Sequence, residues 1–258
     1  MLLTEMTAIV TGGAQGIGAA IAIGLAEHGC SVAILDLNIA QAESTKASLP
    51  KGRHLSVQCD ITDHLSRTSA LQTVATEFGH VDILVNNAGI QYHSALEEMD
   101  EERWKRVFDV NIHAMMAMTR DVGSEMILRG SGSIINIGSI ASLMGMPRRS
   151  AYVTTKTAVL GFTRSSAVEW AQHGIRVNSI GPGYHLTPLF QEYEDAGKID
   201  RDRILRRIPM GRLGTVEDVA SVAVFLGSDL SRYVTGQHIM FDGGYTSFGA
   251  PEDTVGRG

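Results

Sequence analysis

The regular alternation of short apolar runs with helical stretches is the feature that most constrains the fold of this chain. Seven β-branched apolar runs are predicted strands, at Met6–Val10, Val32–Leu35, Leu55–Gln58, Ile83–Val85, Ile134–Ile137, Arg176–Ile180 and His238–Phe241. Stretches with helical spacing separate them, at residues 16–28, 39–48, 65–78, 100–129, 151–173 and 216–227. Strands that are apolar on both faces and joined by helices predict a parallel sheet covered on both sides. Right-handed crossovers then give an α/β, doubly wound sheet of about seven strands.

Two segments interrupt this alternation within what we expect to be one domain over residues 1–258, since no repeat or linker-like composition is visible. Residues 184–212 mix aromatic and charged side chains, and an insertion of that length in a compact domain is usually functional. We predict a substrate loop or lid there, with a pair of ordinary surface helices as the alternative. Residues 247–258 are expected to form a flexible tail, with a segment that covers a neighbouring subunit as the alternative.

Charge and cysteine content disfavour several classes of function. The formal net charge of -6, with no long basic run, argues against nucleic acid or an anionic membrane surface as the main partner. The chain start lacks a secretory signal pattern, and no apolar stretch approaches the ~20 residues of a membrane span. Cys30 and Cys59 show neither a C-x-x-C motif nor metal-ligand spacing. We expect reduced thiols, no structural metal and a cytoplasmic location.

A glycine-rich turn, Thr11–Gly18, joins the first predicted strand to the first helix. Its glycines permit a tight turn and the close approach of a pyrophosphate, which would sit at the positive N-terminus of the helix. Such a turn alone is a weak signal, and its position between strand and helix strengthens it. The residues expected to contact the cofactor are Gly12, Gln15, Gly16, Ile17 and Gly18.

Asp36 stands at the end of the second predicted strand, 18 residues past Gly18. A carboxylate there can accept hydrogen bonds from both ribose hydroxyls of adenosine, and it would repel a 2′-phosphate. No basic residue follows it, and position 15 is Gln rather than Arg or Lys. The sequence therefore predicts NAD(H) rather than NADP(H), with a helix N-cap role for Asp36 as the alternative.

Two further strand ends carry polar residues that fit the same ligand. Asp60 and Ile61 could flank the adenine. Asn86 and Asn87 could tie neighbouring strands together, and Ala88–Gly89 could let a sugar approach the backbone. Ordinary turn chemistry explains either motif equally well when it is taken alone.

Candidate acid–base residues come later in the chain. Tyr152 and Lys156 stand four apart in a predicted helix, so both side chains lie on one face. A neighbouring ammonium favours the phenolate, and lowering the pKa of Tyr152 by ~3 units would make it an acid/base near neutrality. Ser139 closes the fifth predicted strand, where its hydroxyl could donate to a carbonyl oxygen. A chance surface pair is the alternative, and a serine hydrolase would need a Gly-x-Ser-x-Gly turn that Ser139 lacks.

Together these motifs resemble the short-chain dehydrogenase/reductase family over residues 5–246. The resemblance rests on the order and spacing of Thr11–Gly18, Asp60, Asn86–Gly89, Asn111, Ser139, Tyr152, Lys156, Pro182–Gly183, Gly211–Gly214, Glu217–Ala220, Thr235–Gln237 and Asp242–Gly244. It implies a Rossmann-like fold and reversible hydride transfer between a secondary alcohol and a nicotinamide.

The resemblance also implies roles for single residues. Tyr152 would be the acid/base, Ser139 would orient the substrate oxygen, and Lys156 would bind the nicotinamide ribose and depress the pKa of Tyr152. Asn111 would hold a water that relays protons from Lys156. His185 departs from the usual aliphatic residue and is expected to form a pocket wall rather than a second base. The cofactor contacts implied towards the nicotinamide are Asn87, Ala88, Gly89, Tyr152, Lys156, Pro182, Gly183, His185 and Thr187.

The function expected first is that of an NAD-dependent dehydrogenase acting on a polyol, sugar acid, hydroxy acid or cyclic alcohol. A 3-oxoacyl-carrier-protein reductase is the first alternative, disfavoured by Asp36 and by the small basic surface at residues 129–133. A non-catalytic dinucleotide-binding protein is the second, disfavoured because Ser139, Tyr152, Lys156 and Asn111 are all present.

The sequence carries fewer signals for the substrate contacts and for the oligomeric state than for the cofactor site. Arg148 or Arg149 could hold a substrate carboxylate or sulfonate, and a solvated pair is the alternative. By analogy with the family, the helices over residues 100–129 and 151–173 would pair between subunits in a homotetramer or a dimer. The predicted substrate residues are Gln91, Met144, Arg148, Arg149, Tyr184 and Phe190.

Overall fold

Within residues 1–250, the part of the chain that the computed structural model describes, seven strands form one sheet that is parallel throughout. They are β1 Thr7–Thr11, β2 Ser31–Asp36, β3 Leu55–Gln58, β4 Ile83–Asn86, β5 Gly132–Ile137, β6 Ile175–Pro182 and β7 His238–Phe241. Their order is β3-β2-β1-β4-β5-β6-β7, so the strand order reverses between β1 and β4. The predicted doubly wound parallel sheet is confirmed, and each predicted run overlaps one strand.

Helices cover both faces of the sheet and follow the predicted spacing closely. They are α1 Gly16–Glu27, α2 Ile39–Ser48, α3 His64–Phe78, α4 Glu101–Phe108, α5 Met115–Arg129, α6 Ser150–Trp170, α7 Pro188–Asp195, α8 Arg201–Arg206 and α9 Val216–Gly227. The single helix expected over residues 100–129 is interrupted, because a π-helical turn at Asp109–Ala114 joins α4 to α5. Such turns often occur at functional sites, and this one contains Asn111.

Successive residues of each strand enter opposite cores. In β1, Ala8 and Val10 pack in the core that α1 and α9 cover, whereas Ile9 packs in the core beneath α3 and α5. Both faces are therefore buried, which explains why the strands read as continuous apolar runs rather than as alternating ones.

A buried polar network fastens the two central strands to the helices behind the site. The Nδ2 group of Asn86 on β4 donates to Asn136 Oδ1 on β5 and to Thr119 Oγ1 on α5, both at 2.9 Å. Asn136 Nδ2 in turn donates to Thr163 Oγ1 on α6 at 3.0 Å. Helix α6 is thereby held in register with the sheet, which matters because it carries Tyr152 and Lys156.

The segment over residues 184–212 contains two short helices, α7 and α8, and its first half contributes residues to the wall of the cleft described below. Phe190, Ile208 and Leu213 form a small apolar cluster of their own beneath it. Of the predicted tail, residues 251–258 lie outside the described residues, and the Phe248 N–H donates to the Gly244 carbonyl at 3.0 Å. No helix in residues 1–250 combines the length and the apolar character that crossing a bilayer requires.

Candidate active site

A cleft of about 760 Å³ opens at the carboxyl ends of the strands, beside the point where the strand order reverses. Parallel strands all end at this edge, so residues from distant parts of the chain meet here. The predicted cofactor and catalytic residues that line the cleft are Gly12, Gln15, Gly16, Ile17, Gly18, Asp36, Asp60, Ile61, Asn87, Ala88, Gly89, Ser139, Tyr152, Lys156, Pro182, Gly183, His185 and Thr187.

The turn after β1 has the backbone conformation that its glycines permit. Gly12 and Gly16 have positive φ values of 63° and 57°, which residues other than glycine rarely adopt. A Cβ atom on Gly18 would lie 2.2 Å from the Gly12 carbonyl oxygen, so α1 can approach the turn only without a side chain there. Nothing lies within 4 Å of a Cβ placed on Gly16. The turn and the start of α1 thus have room for a pyrophosphate.

Asn87 ties the end of β4 to this turn. Its Nδ2 group donates to the carbonyl oxygens of Thr11 at 3.0 Å and Gly12 at 2.9 Å. In return, Thr11 Oγ1 accepts from the backbone N–H groups of Asn87 at 3.1 Å and Ala88 at 3.2 Å. Asn87 thus joins the end of β4 to the end of β1, which is the role expected for an Asn at this position.

Asp36 is held at the edge of the cleft by two backbone hydrogen bonds. Its Oδ2 atom accepts from the Ala14 N–H and its Oδ1 atom from the Asn38 N–H, both at 3.0 Å. The N-cap of α2 is Asn38, which accepts from the Gln41 N–H at 3.1 Å, so the N-cap alternative for Asp36 is wrong. The carboxylate is fixed in orientation and keeps lone pairs for ribose hydroxyls.

Asp60 is oriented in the same way at the end of β3. Its Oδ1 atom accepts from the Thr62 N–H at 2.8 Å and the Thr62 hydroxyl at 2.6 Å. These bonds, with the charge of Arg106, hold the pKa of Asp60 below its usual value. Thr62 and Arg106 are cleft residues that no motif indicated. Only the Asp-x-Thr spacing, typical of an Asx turn, could have indicated Thr62.

Ser139 is buried where β5 ends, at the start of a short 3₁₀ turn. Its Oγ atom accepts from the Ala141 N–H at 3.1 Å. The next hydroxyl of the turn, Ser142 Oγ, donates to the Lys156 carbonyl at 2.8 Å and so joins the turn to α6. Ser139 therefore has a fixed position facing the first turns of α6, where Tyr152 lies.

The pKa of Tyr152 differs in direction from the expectation. Burial raises it above its ordinary value, while the Ser139 side chain and the Arg149 guanidinium act in the opposite direction and do not compensate. The predicted acidification of the phenol is therefore wrong for the protein by itself. A buried phenolate would lose its hydration, and that cost exceeds what one hydrogen bond and one partly solvated charge return.

Lys156 is buried beneath the same phenol. Its Nζ atom donates to the Ile137 carbonyl at 2.7 Å and stands 5.7 Å from the centre of the Tyr152 ring. Burial lowers the pKa of Lys156 to about 8. The two side chains lie on one face of α6, as their spacing predicts, and the ammonium is anchored to the end of β5.

Asn111, a predicted catalytic residue, lies outside the lining of the cleft, behind Gly89 and near Lys156. Its Oδ1 atom accepts from the Ile90 N–H at 2.8 Å, and its Nδ2 group donates to the Ile90 carbonyl at 3.0 Å and to Thr155 Oγ1 at 3.1 Å. A Cβ atom on Gly89 would lie 3.3 Å from Asn111 Oδ1 and 3.6 Å from Lys156 Nζ. Asn111 thus fixes the loop after β4 against α6 in the neighbourhood of the lysine.

The loop after β6 supplies one wall of the cleft. The His185 ring is buried so closely against Gly214 that a Cβ atom there would lie 2.3 Å from its Cδ2 atom. It also stacks on Phe241 at 6.3 Å between ring centres, and burial lowers its pKa. The ring forms part of the wall of the cleft. Thr187 caps α7, its Oγ1 atom accepting from the Phe190 N–H at 3.1 Å.

The predicted substrate residues divide into two groups. Met144 and Arg148 do not belong to the wall of the cleft. Arg148 has a φ of 62°, its carbonyl accepts from the Ser94 N–H at 3.0 Å, and its side chain is exposed to solvent. Those that line the cleft are Gln91, Arg149, Tyr184 and Phe190.

Comparison with known proteins agrees with this arrangement. A family model described as Enoyl-(Acyl carrier protein) reductase matches residues 12–246. The 2-dehydro-3-deoxy-D-gluconate 5-dehydrogenase of Dickeya dadantii is 41% identical over 249 residues, covering 94% of this chain and 96% of its own. The D-threitol dehydrogenase of Mycolicibacterium smegmatis is 38% identical over 246 residues, covering 95% and 94%. A gluconate 5-dehydrogenase from Burkholderia cenocepacia, solved with NADP and tartrate, matches with a TM-score of 0.88 at 34% identity, covering 96% and 97%.

The burial of Lys156 predicts a pH dependence of stability. Its folded pKa of about 8 lies below the ~10.4 of an exposed lysine, so the unfolded chain binds more protons between these values. The stability of the wild type relative to Lys156→Met should therefore rise with pH from about 8 to about 10, by up to ~1.4 kcal/mol per unit. Urea unfolding of both proteins across this range measures it. Thr154→Ala, on the same helix, should give a flat difference, and a flat difference for Lys156→Met would contradict the burial.

Proposed function

The chain belongs to the short-chain dehydrogenase/reductase family, and we propose that it catalyses reversible NAD(H)-dependent hydride transfer between a secondary alcohol and its ketone, with Tyr152 as acid/base. The observation that carries the proposal is a single cleft that joins Tyr152, Ser139 and Lys156 to the glycine-rich turn and Asp36. The reaction interconverts an alcohol and a carbonyl. Its expected substrates are polyols, sugar acids, hydroxy acids or cyclic alcohols.

Each reacting group has a defined task in this proposal. The Ser139 hydroxyl hydrogen-bonds the substrate oxygen, and the Tyr152 hydroxyl delivers a proton to that oxygen in reduction or accepts it in oxidation. When bound, the nicotinamide ring supplies or accepts the hydride. Lys156 holds the nicotinamide ribose hydroxyls from its anchored position, and Asn111 positions the adjoining loop. Burial keeps Tyr152 protonated near neutrality, which is the form that reduces a ketone, so oxidation gains from higher pH.

The choice of NAD(H) rests on Asp36. Its carboxylate is fixed by the Ala14 and Asn38 N–H groups and faces the cleft, where a 2′-phosphate would meet a negative charge. The solved relative from Burkholderia cenocepacia carries NADP, so the family as a whole does not decide the cofactor. The identity and setting of this one residue favour NAD(H) in this chain.

A carrier-protein reductase is the competing function, because the matching family model bears the description of one. The curated relatives named above, which match nearly the whole chain, are a sugar-acid dehydrogenase and a polyol dehydrogenase instead. A non-catalytic dinucleotide-binding protein would have no need of Ser139, Tyr152 and Lys156 in one cleft. Alcohol dehydrogenation is therefore the function that the site supports best.

Assembly into a homotetramer, or a dimer, is part of the same proposal. Helices α5 and α6, which family members pair between subunits, expose Met116, Leu128 and Val168 by 40%, 81% and 82%. Light scattering coupled to size exclusion should give a mass four times, or twice, the chain mass of 27.7 kDa. A monomer at micromolar concentration would contradict this assembly.

Removing the phenol hydroxyl tests the acid/base assignment. Tyr152→Phe should lower turnover by about 10²- to 10⁴-fold, because the variant loses the proton transfer that we assign to the Tyr152 hydroxyl. NADH should still bind, which fluorescence titration checks. Turnover close to that of the wild type would show that another group moves the proton.

The cofactor preference is tested at Asp36. The wild type should use NAD+ with a kcat/KM at least about 10²-fold above that for NADP+, since a like-charge contact costs several kcal/mol. Asp36→Asn should reduce this ratio mainly by improving the KM for NADP+. Asp60→Asn is the matched control, because it removes the other carboxylate of the cleft and should leave the ratio unchanged. A wild-type protein that prefers NADP+ would contradict the assignment of NAD(H) as the cofactor.

A further inference from the structure

One guanidinium occupies the substrate half of the cleft without a counter-ion. Arg149 is half-buried and lines the cleft together with Tyr152 and Tyr184. Within residues 1–250 no acidic side chain forms an ion pair with it. The carboxylates among the described lining residues are Asp36 and Asp60, and both belong to the adenosine end. A chain of net charge -6 thus leaves this end of its cleft positive.

The charge of Arg149 acts on three neighbouring titratable groups. Burial, and after it the charge of Arg149, holds the pKa of His93 below its usual value, with Lys198 and Arg148 adding to the effect. The charge of Arg149 also acts to lower the pKa values of Tyr152 and Tyr184 against the effect of burial. No carboxylate acts on any of these three groups in the described structure. The charged side chains that act on His93 and Tyr152 are thus all cationic, which favours an anion beside them.

Local structure gives no reason for an arginine at this position. Arg149 is the N-cap of α6 and its side chain makes no capping hydrogen bond. Ser, Thr, Asp or Asn would cap the helix better, and a cation at the positive end of a helix dipole is unfavourable. Arg148 has a left-handed backbone conformation, and its side chain lies in solvent, whereas the side chain of Arg149 lies in the cleft.

We propose that Arg149 is a specificity-determining residue that pairs with the carboxylate of a hydroxy-acid substrate. The planar guanidinium can donate two parallel hydrogen bonds to a planar carboxylate, and partial burial strengthens them. The substrate is thereby held by one end while its hydroxyl lies near Ser139 and Tyr152. Of the substrate classes left open above, this selects hydroxy acids, including sugar acids, over neutral polyols and cyclic alcohols. The inference rests on the proposed dehydrogenase function.

Two matched substitutions separate this role from a structural one. Arg149→Asn removes the charge and puts a favourable cap on α6, so its melting temperature should equal or exceed that of the wild type. Arg148→Asn removes the neighbouring charge at a left-handed position that Asn tolerates, and it is the control. A marked loss of thermal stability in Arg149→Asn would assign the residue to the fold and overturn the proposal.

Paired probes measure the specificity. With NAD+, kcat/KM is compared for lactate, tartrate and D-gluconate and for the primary amide of each. The wild type should prefer at least one carboxylate over its amide by about 10- to 100-fold, the range expected of hydrogen bonds to a charged group. Arg149→Asn should abolish that preference through KM, and Arg148→Asn should keep it. Any effect of Arg149 on the phenol pKa is common to acid and amide and cancels in the ratio.

A binding measurement keeps the two proposals distinct. Calorimetric titration of the same carboxylates and amides into the protein, with and without NADH, needs no turnover. Carboxylate binding that Arg149→Asn weakens, in a protein that oxidises none of the probes, would support the anion site and count against the dehydrogenase assignment for these substrates. If no carboxylate binds the wild type more tightly than its amide, or if Arg149→Asn weakens both equally, the anion site is wrong.

Discussion

The carboxamide of Asn87 is the contact on which the geometry of the cleft depends. It bonds the carbonyl oxygens of Thr11 and Gly12 and so fastens the end of β4 to the turn after β1. At this point the strand order reverses, and a parallel sheet leaves a crevice beyond its strand ends there. The Thr11 hydroxyl adds to this connection, because it accepts hydrogen bonds from the backbone N–H groups of Asn87 and Ala88. Together these contacts fix the turn after β1 relative to the loop after β4.

Burial governs the chemistry at the other end of the cleft. It raises the pKa of Tyr152 and lowers that of Lys156, because in both cases low-dielectric surroundings disfavour the charged form. Proximity along a helix predicts the opposite for the phenol, since the ammonium would stabilise a phenolate. The structure resolves the conflict in favour of desolvation, as the Lys156 ammonium is engaged by the Ile137 carbonyl. The free protein thus holds a neutral phenol beside a lysine that is easily deprotonated.

Sequence patterns predicted the fold and the conformation of the glycine-rich turn well, because both depend on local signals. Apolar runs mark the strands, and the glycines after β1 mark a turn whose geometry depends on a few neighbouring residues. What could not be predicted depends on packing between distant segments. The π-helical turn around Asn111, the arrival of Arg106 at the cleft and the direction of the Tyr152 pKa shift have no local signature. Arg148 lies in solvent and Arg149 in the cleft, and the positive φ of Arg148 that accompanies this difference has no signature in the neighbouring sequence.

Charge is separated along the length of the cleft, and this separation orients what binds there. Asp36 and Asp60 stand at the end proposed for adenosine, with Arg106 beside Asp60, so that this end is negative overall. Arg149 and Lys156 stand at the end that holds Ser139 and Tyr152. On the proposed function, a hydroxy acid placed at the adenosine end would meet two carboxylates, and at the catalytic end it meets a guanidinium. The same distribution carries a cost for the fold, since an arginine at the N-cap of α6 and a buried lysine both oppose stability. Residues that oppose folding and converge on one pocket are better explained by what the pocket binds than by the fold itself.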